Sequence, residues 1–136
     1  MDFLKSIAIA ASGLRAQSSR MRVIAENVAN ADTVPSRPGE APYRRKVVTF
    51  QQKFDQELGA ATVQLGPIKK DRSEFRSHYE PGHPQANAEG FIRKPNVDSM
   101  IETLDLREAQ RSYEANLNVV TTTRRMLART LEILRS

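Results

Sequence analysis

The chain has two histidines, His78 and His83, the residue type most able to bind a metal or move a proton near neutral pH. Glu80 and Asp71 are the carboxylates that would complete a metal set around them. The five-residue spacing crosses Pro81-Gly82, so neither a helix face nor a familiar zinc spacing presents both imidazoles to one ion. They read as two loop histidines, and no metal is expected. A second cluster, Arg44-Arg45-Lys46 beside Tyr43, has the cation-plus-aromatic make-up that binds single-stranded nucleic acid. The same residues suit an edge strand whose charges prevent pairing with other chains. That reading is preferred, and no nucleic-acid partner is expected. No nucleophile motif or phosphate-cradling glycine loop stands elsewhere; Gly82 and Gly90 read as turn residues. The carboxylates of the C-terminal third fall on what would be the solvated side of a helix, so a buried acid–base pair is not expected. The chain therefore reads as no enzyme, with no catalytic residues, no cofactor and no small-molecule substrate.

The elements that carry these residues divide the 136-residue chain into three segments. Residues 1–31 form the first, and within it residues 2–31 read as one amphipathic helix. Leu4, Ile7, Ala11, Leu14, Ser18, Met21, Ala25 and Val28 keep an alternating 3,4 spacing, the a/d seam of a coiled coil. Small residues at Ala11, Ser18 and Ala25 would let another backbone approach closely. Gly13 costs up to ~1 kcal/mol against Ala inside a helix, so it either kinks the helix or permits a tight contact.

Residues 32–97 hold all seven Pro and five of the six Gly. Asp32–Pro42 reads as a loop, because Val34-Pro35, Arg37-Pro38 and Ala41-Pro42 cannot continue a helix. Extended runs are expected at Arg44–Phe50, Thr62–Ile68, Phe75–Glu80 and Phe91–Lys94, with a turn at Pro81–Pro84. Residues 98–136 form the third segment, a second long helix over 98–134 capped by Asn96 or Asp98. Its apolar stripe runs Ile101, Leu104, Tyr113, Leu117, Val120, Thr123, Leu127, Leu131 and Leu134. Acidic residues load its start and arginines its end, which complements the helix dipole. Val119–Thr123 is a run of five β-branched residues with poor helix propensity, so packing must hold it. The expected fold is mainly α with a small β-rich insert, the N- and C-terminal long amphipathic helices pairing as a coiled-coil hairpin. Such a hairpin has little core beyond its own seam and would finish its packing in an assembly.

Composition agrees. Aromatic residues make up 6% and Trp is absent, which points to a thin or elongated body. The net charge of +5 is spread, with acids interspersed, as on a mixed solvated surface. The absence of Cys excludes disulfide scaffolds and thiolate chemistry. Lys5, Ser6, Ser12 and Arg15 interrupt the N-terminal apolar residues, unlike a secretory leader, and no stretch approaches the ~18 apolar residues of a membrane span. If the protein leaves the cytoplasm, another route is expected.

Ala11-Ser12-Gly13-Leu14-Arg15-Ala16-Gln17, followed by Met21–Glu26 and Asn27-Val28-Ala29-Asn30-Ala31-Asp32-Thr33, resembles the N-terminal signature of the flagellar basal-body rod and hook family. Arg111-Ser112-Tyr113-Glu114-Ala115-Asn116-Leu117 resembles that family's C-terminal motif. Tyr79-Glu80-Pro81-Gly82-His83-Pro84, Pro95-Asn96-Val97-Asp98 and Tyr43–Phe50 resemble its proximal-rod branch, although Gly90-Phe91-Ile92 stands where the family more often has Gly-Tyr-Val. The resemblance implies a structural subunit of the flagellar basal body, made in the cytoplasm and exported uncleaved by the flagellar type III apparatus. It implies termini that become ordered on assembly into a rod crossing the periplasm. It also implies other rod subunits, further copies of this chain and basal-body ring proteins as neighbours. The two seams, Leu4 to Val28 and Tyr113 to Leu134, are the expected assembly surfaces.

Overall fold

A computed structural model describes residues 2–37 and 39–136. Met1, and Pro38 of the expected loop, lie outside the described residues. The order of elements is α1 (Phe3–Ala29), β1 (Lys46–Val47), β2 (Phe50–Asp55), β3 (Ala60–Leu65), β4 (Lys69–Lys70), β5 (Arg76–Tyr79), β6 (Phe91–Lys94) and α2 (Ser99–Arg135). Two long helices thus bracket a small sheet-containing insert. Among the described residues, no helix is long and apolar enough to cross a membrane.

Side chains just outside each helix fix where it starts. Asp2 accepts a hydrogen bond from the Lys5 N–H at 3.0 Å on its carboxylate, satisfying a donor that has no partner in the first turn of α1. Asp98 does the same for α2, accepting from the Met100 N–H at 2.9 Å. Of the two expected caps, Asn96 is therefore not the one used. α2 runs unbroken through Val119–Thr123, and Thr123 is buried there, so packing offsets the poor propensity of that run.

The strands pair antiparallel as β1 with β4, β2 with β3, and β5 with β6. The expected strand over Arg44–Phe50 is two short pieces: Lys46–Val47 pairs with Lys69–Lys70, and Phe50 opens β2 opposite Leu65. The second expected strand, Thr62–Ile68, ends at Leu65. The Gly66 N–H still donates to the Thr49 carbonyl at 2.8 Å, but Pro67 has no N–H to continue the ladder. Strand β2 was expected only at its first residue. Its sequence FQQKFD is exposed throughout, and pairing with β3 rather than propensity makes it extended.

The chain folds as two compact units. One, the terminal unit, comprises Met1–Met21, Thr49–Pro67 and Arg107–Ser136; the other, the inner unit, comprises Arg22–Val48 and Ile68–Leu106. The terminal unit contains hairpin β2–β3 and the outer ends of both helices. The inner unit contains β1–β4, β5–β6 and the inner ends of both helices. In the inner unit Val23, Ile24, Ala31, Ile92 and Val97 are buried. Gly90 closes the β5–β6 connection with φ +87°, and a Cβ there would stand 2.8 Å from the Tyr79 ring, so the turn requires glycine.

Candidate functional site

The most constrained group of side chains lies in the inner unit, around Asn27 of α1 and Glu102 of α2. Glu102 is fully buried and Asn27 is 1% exposed. The Asn27 amide nitrogen donates to the Lys46 carbonyl at 2.9 Å and to Glu102 Oε2 at 3.5 Å. The Asn27 amide oxygen accepts from the Lys46 N–H at 3.0 Å and from the Tyr43 hydroxyl at 2.8 Å. All four hydrogen-bonding positions of one side-chain amide are used. Two of them are spent on the main chain of a single residue, so Asn27 stands beside β1 as a neighbouring strand's peptide would. Glu102 Oε1 accepts from Arg45 Nε, and the same guanidinium reaches Asp105 at 3.4 Å and Asp71 at 3.5 Å.

Asn96 fixes the other side of this cluster. Its oxygen accepts from the Arg45 N–H at 2.8 Å, and its nitrogen donates to the Asp71 carbonyl at 3.0 Å. Arg44 donates to the carbonyls of Asp71 and Ser73 and lies 4.2 Å over the Phe75 ring. At the end of α1, Arg76 donates to the Ala31 and Pro95 carbonyls, and Asp32 pairs with Arg76 and Lys94 at 3.7 and 3.6 Å.

The electrostatics follow from this packing. Burial works against the Arg45 charge, but the hydrogen bond and charge of Glu102, with Asp105 and Asp71, outweigh it and hold the guanidinium pKa above its ordinary value. The Tyr43 hydroxyl is pushed up to about 12, first by burial and then by the negative charges of Glu26 and Glu102. Asp71 is held below the usual carboxylate range, chiefly by hydrogen bonds from the Ser73 main chain and side chain, with Arg45 adding to them.

Two expectations are corrected here. The carboxylates of α2 do not all lie on a solvated side, because Glu102 faces inward to a cation and an amide. Arg44-Arg45-Lys46 is not a row of gatekeeping charges. Arg45 is paired with three carboxylates, Lys46 with Glu26, and Arg44 with main-chain carbonyls and a ring. Asn27 is the residue that sequence reasoning missed. Its signal was its place among Val23, Ile24 and Ala31, at −4, −3 and +4, a polar side chain within a buried helical row.

The terminal unit brings together different residues. A Cβ on Gly13 would stand 2.7–2.9 Å from the side chain of Asn116, so glycine permits a tight contact between α1 and α2. The Ser12 hydroxyl accepts from the Val63 N–H at 3.2 Å, and this spare main-chain donor ties β3 to α1. Arg20 reaches Glu108 at 3.6 Å and lies 5.8 Å from the centre of the Phe50 ring. A cleft of about 520 Å³ opens between α1, the hairpin and Asn116, lined by Ile9, Gly13, Gln17, Phe50 and Val63 among others.

Of the expected seam residues, Ile7, Ala11, Leu14 and Met21 of α1 are half-buried, while Leu4, Ser18, Ala25 and Val28 are exposed. On α2, Tyr113, Val120 and Leu127 are half-buried, and Ile101, Leu104, Leu117, Leu131 and Leu134 are exposed. The buried positions of α1 include Ala10, Gly13, Val23, Ile24 and Asn27. Relative to the seam, Ala10, Gly13, Ile24 and Asn27 are each displaced by one residue, ~100° around the helix. On α2, Glu102, Ala109, Asn116 and Thr123 form a row of small and polar residues seven apart, buried except for the half-buried Asn116.

His78 lies on β5 opposite Ile92, and His83 Nδ1 accepts from the Gln85 N–H at 3.0 Å. Among the described residues, no group of three metal-binding side chains converges. Arg44, Lys69, Lys70 and Arg72 line a basic concavity on the inner unit.

Asn27, Tyr43, Arg45 and Asn96 of the inner cluster fall within motifs singled out in the sequence, whereas Glu102, Asp71 and Asp105 do not. Residues 7–34 match the family described as flagella basal body rod protein, and residues 88–133 match the flagellar basal body rod FlgEFG protein C-terminal family. The class is thus that of basal-body rod proteins. The chain is 44% identical over 128 residues to the flagellar basal-body rod protein FlgC of Agrobacterium fabrum, covering 94% of this chain and 92% of that one. It is 40% identical to the protein of the same name from Bacillus subtilis, covering 98% and 99%, and 41% identical to that of Salmonella typhimurium, covering 98% of each. The chain belongs to the FlgC family of flagellar basal-body rod proteins.

Proposed function

We propose that this protein is a structural, non-enzymatic subunit of the flagellar basal-body rod, in its proximal part. It is built into that rod through its terminal helices. The observation that carries the reading is likeness to FlgC proteins along nearly the whole of both chains.

The distribution of apolar surface supports it. On α2, Leu131 is 52% exposed, Ile133 73% and Leu134 76%, while Leu4 near the start of α1 is 71% exposed. Apolar side chains left open along a helix face mark a surface that a partner covers. The covering partners are other rod subunits, among them further copies of this chain, with basal-body ring proteins around them. The seam residues from Leu4 to Val28 and from Tyr113 to Leu134 are the assembly surface in this reading. α1 and α2 pair as a coiled-coil hairpin, a reading supported by the buried row seven residues apart on α2 and by the Gly13–Asn116 and Asn27–Glu102 contacts.

The subunit is made in the cytoplasm and leaves it through the flagellar type III apparatus without cleavage. It ends in the rod that crosses the periplasm as a drive shaft. Residues 1–31 and 98–136 act as the paired-helix rod core, and residues 32–97 as the insert.

Basal bodies purified from cells making this chain as their sole copy, imaged by electron cryo-microscopy, test the assignment. Density for its side chains is expected in the rod next to the motor. Complete rods without this chain would overturn the reading. A Leu131→Asp variant is expected to be exported but not to complete a rod, since a buried unpaired carboxylate costs several kcal/mol. Normal motility in that variant would mean that the α2 stripe stays open to water in the rod.

A further inference from the structure

We propose that Asn27 is a register pin: it selects which turn of α2 faces α1, and where the first strand of the insert docks, without being what holds the two helices together. The inference rests on the pairing of the two helices in the reading above.

The geometry separates choice of register from adhesion. Apolar contacts between two helices are individually weak and re-form in part with new neighbours after a slide of one turn. Asn27 is different, because its four hydrogen bonds go to three residues from two separate stretches of chain: Lys46, Tyr43 and Glu102. Because Arg45 ties the strand of Lys46 to Glu102 and Asp105 of α2, a slide of α1 by one turn, ~5.4 Å, against strand and helix together breaks all four. It strands a buried amide and the main chain of β1, and leaves Glu102 with Arg45 as its partner, which is costly for every group that finds no new partner. A buried polar side chain that penalises all alignments but one is the best-attested use of such groups in paired helices.

Adhesion comes from elsewhere: the apolar residues Val23, Ile24, Ala31, Ile92 and Val97, and the ion pairs of Arg45. Removing Asn27 leaves these in place. Lys46 is half-buried, so water can reach the strand once the amide is gone. The Lys46 side chain takes no part in the pin, because it pairs with Glu26 while only its main chain meets Asn27.

The chain has no cysteine, so no native thiol competes with engineered pairs that report register. Gly13→Cys with Asn116→Cys reports the observed alignment. Gly13→Cys with Ser112→Cys or with Val120→Cys reports slides of about one turn in either direction. Each pair is oxidised in the full-length monomer under mild conditions, and the cross-linked fraction is read on a gel.

In the otherwise unaltered chain, the Asn116 pair should cross-link at least tenfold faster than the other two. Asn27→Ala should keep its helical circular dichroism, yet bring the three rates within about threefold of one another. Tyr43→Phe, which removes one of the four bonds at nearly constant volume, should move the rates the same way but less. Lys46→Ala, which removes the neighbouring ion pair and keeps the main-chain bonds, should leave the tenfold preference intact. A preserved preference in Asn27→Ala overturns the inference. Loss of helical signal in Asn27→Ala overturns it as well, because Asn27 would then be adhesive rather than selective. Equal rates in the unaltered chain mean that the free subunit has no register to set. That result sinks the pin and the paired-helix reading together, and leaves membership of the rod untouched.

Discussion

The two units bury opposite kinds of residue. The inner unit buries large or polar side chains: Glu102, Asn27, Ile92, Val97 and Pro95 are the largest that are fully covered. The terminal unit buries Ala10, Ser12, Gly13, Ala16, Ala109 and Thr123, none larger than threonine, and leaves leucines at both helix ends open. Polar groups under cover accept one arrangement of partners and penalise the rest. Small residues accept many arrangements, each held weakly. The inner unit therefore specifies its own packing more sharply than the terminal unit does.

That contrast breaks most visibly at Glu102. Replacing it with alanine leaves Arg45 in a partly buried site with only Asp71 and Asp105 at 3.4–3.5 Å, and leaves Asn27 one bond short. Breaking a buried pair by removing one partner costs ~3–5 kcal/mol. Glu102→Ala is expected to lose about that much in urea unfolding of the purified chain. Arg20→Ala, which removes a pair in the terminal unit whose glutamate is 68% exposed, should change stability by less than ~1 kcal/mol. Equal losses for the two variants would mean that the units are not held differently.

A smaller effect lies in alkaline solution. Tyr43 keeps its proton up to about pH 12 in the fold, against 10.0 for the free side chain. Between those values the folded chain binds a proton that the unfolded chain has lost. Stability is then fully present below about pH 10 and falls as pH rises towards 12. Tyr43→Phe is expected to remove this slope while costing ~1 kcal/mol at neutral pH for one lost hydrogen bond. In the acid range the sign reverses for Asp71: its lowered pKa gives stability that is present above the ordinary carboxylate range and is lost as pH falls through it. Unfolding followed at pH 7, 10.5 and 12 in both chains measures the alkaline slope. An unchanged slope in Tyr43→Phe would assign it to another group.

Much of the fold was legible, for identifiable reasons. The helices announced themselves through periodicity and caps, and the expected ends at 31 and 134 differ from the observed Ala29 and Arg135 by the usual fraying margin. Phe91–Lys94 was readable because an isolated β-forming run sits between turn residues. β2 was not, because Gln51, Gln52 and Lys53 become a strand only when β3 lies alongside. The inner cluster was invisible for a related reason. Asn27, Tyr43, Arg45, Asn96 and Glu102 are scattered over four stretches of chain, and periodicity within one helix cannot show that a carboxylate on its polar side will meet a guanidinium from elsewhere. The 3,4 pattern of α1 picked out a stripe from Leu4 to Val28, four of whose eight residues are exposed. It did not distinguish that stripe from the neighbouring row of small residues that the chain itself covers.

Gly13→Ala should have the smallest effect, because two opposing terms meet there. Alanine in place of glycine within a helix gains up to ~1 kcal/mol, since the unfolded chain loses freedom. Against this, the new methyl would stand 2.7 Å from Asn116 Nδ2 and 2.8 Å from its Oδ1, closer than non-bonded atoms tolerate. Asn116 can yield only by giving up the bond from its nitrogen to the Ser112 carbonyl at 3.0 Å, worth ~1 kcal/mol. The terms nearly cancel, and Gly13→Ala is expected to lie within ~1 kcal/mol of the unaltered chain. The cancellation is separable by a double-mutant cycle. With Asn116→Ala present the clash is gone, and Gly13→Ala should then stabilise by most of the helix term, ~0.5–1 kcal/mol. A coupling of that size places the two side chains against each other in the free subunit. A coupling near zero would mean that α1 and α2 do not touch at this level until neighbours are added. The terminal unit would then depend on assembly even for the contact that glycine makes possible.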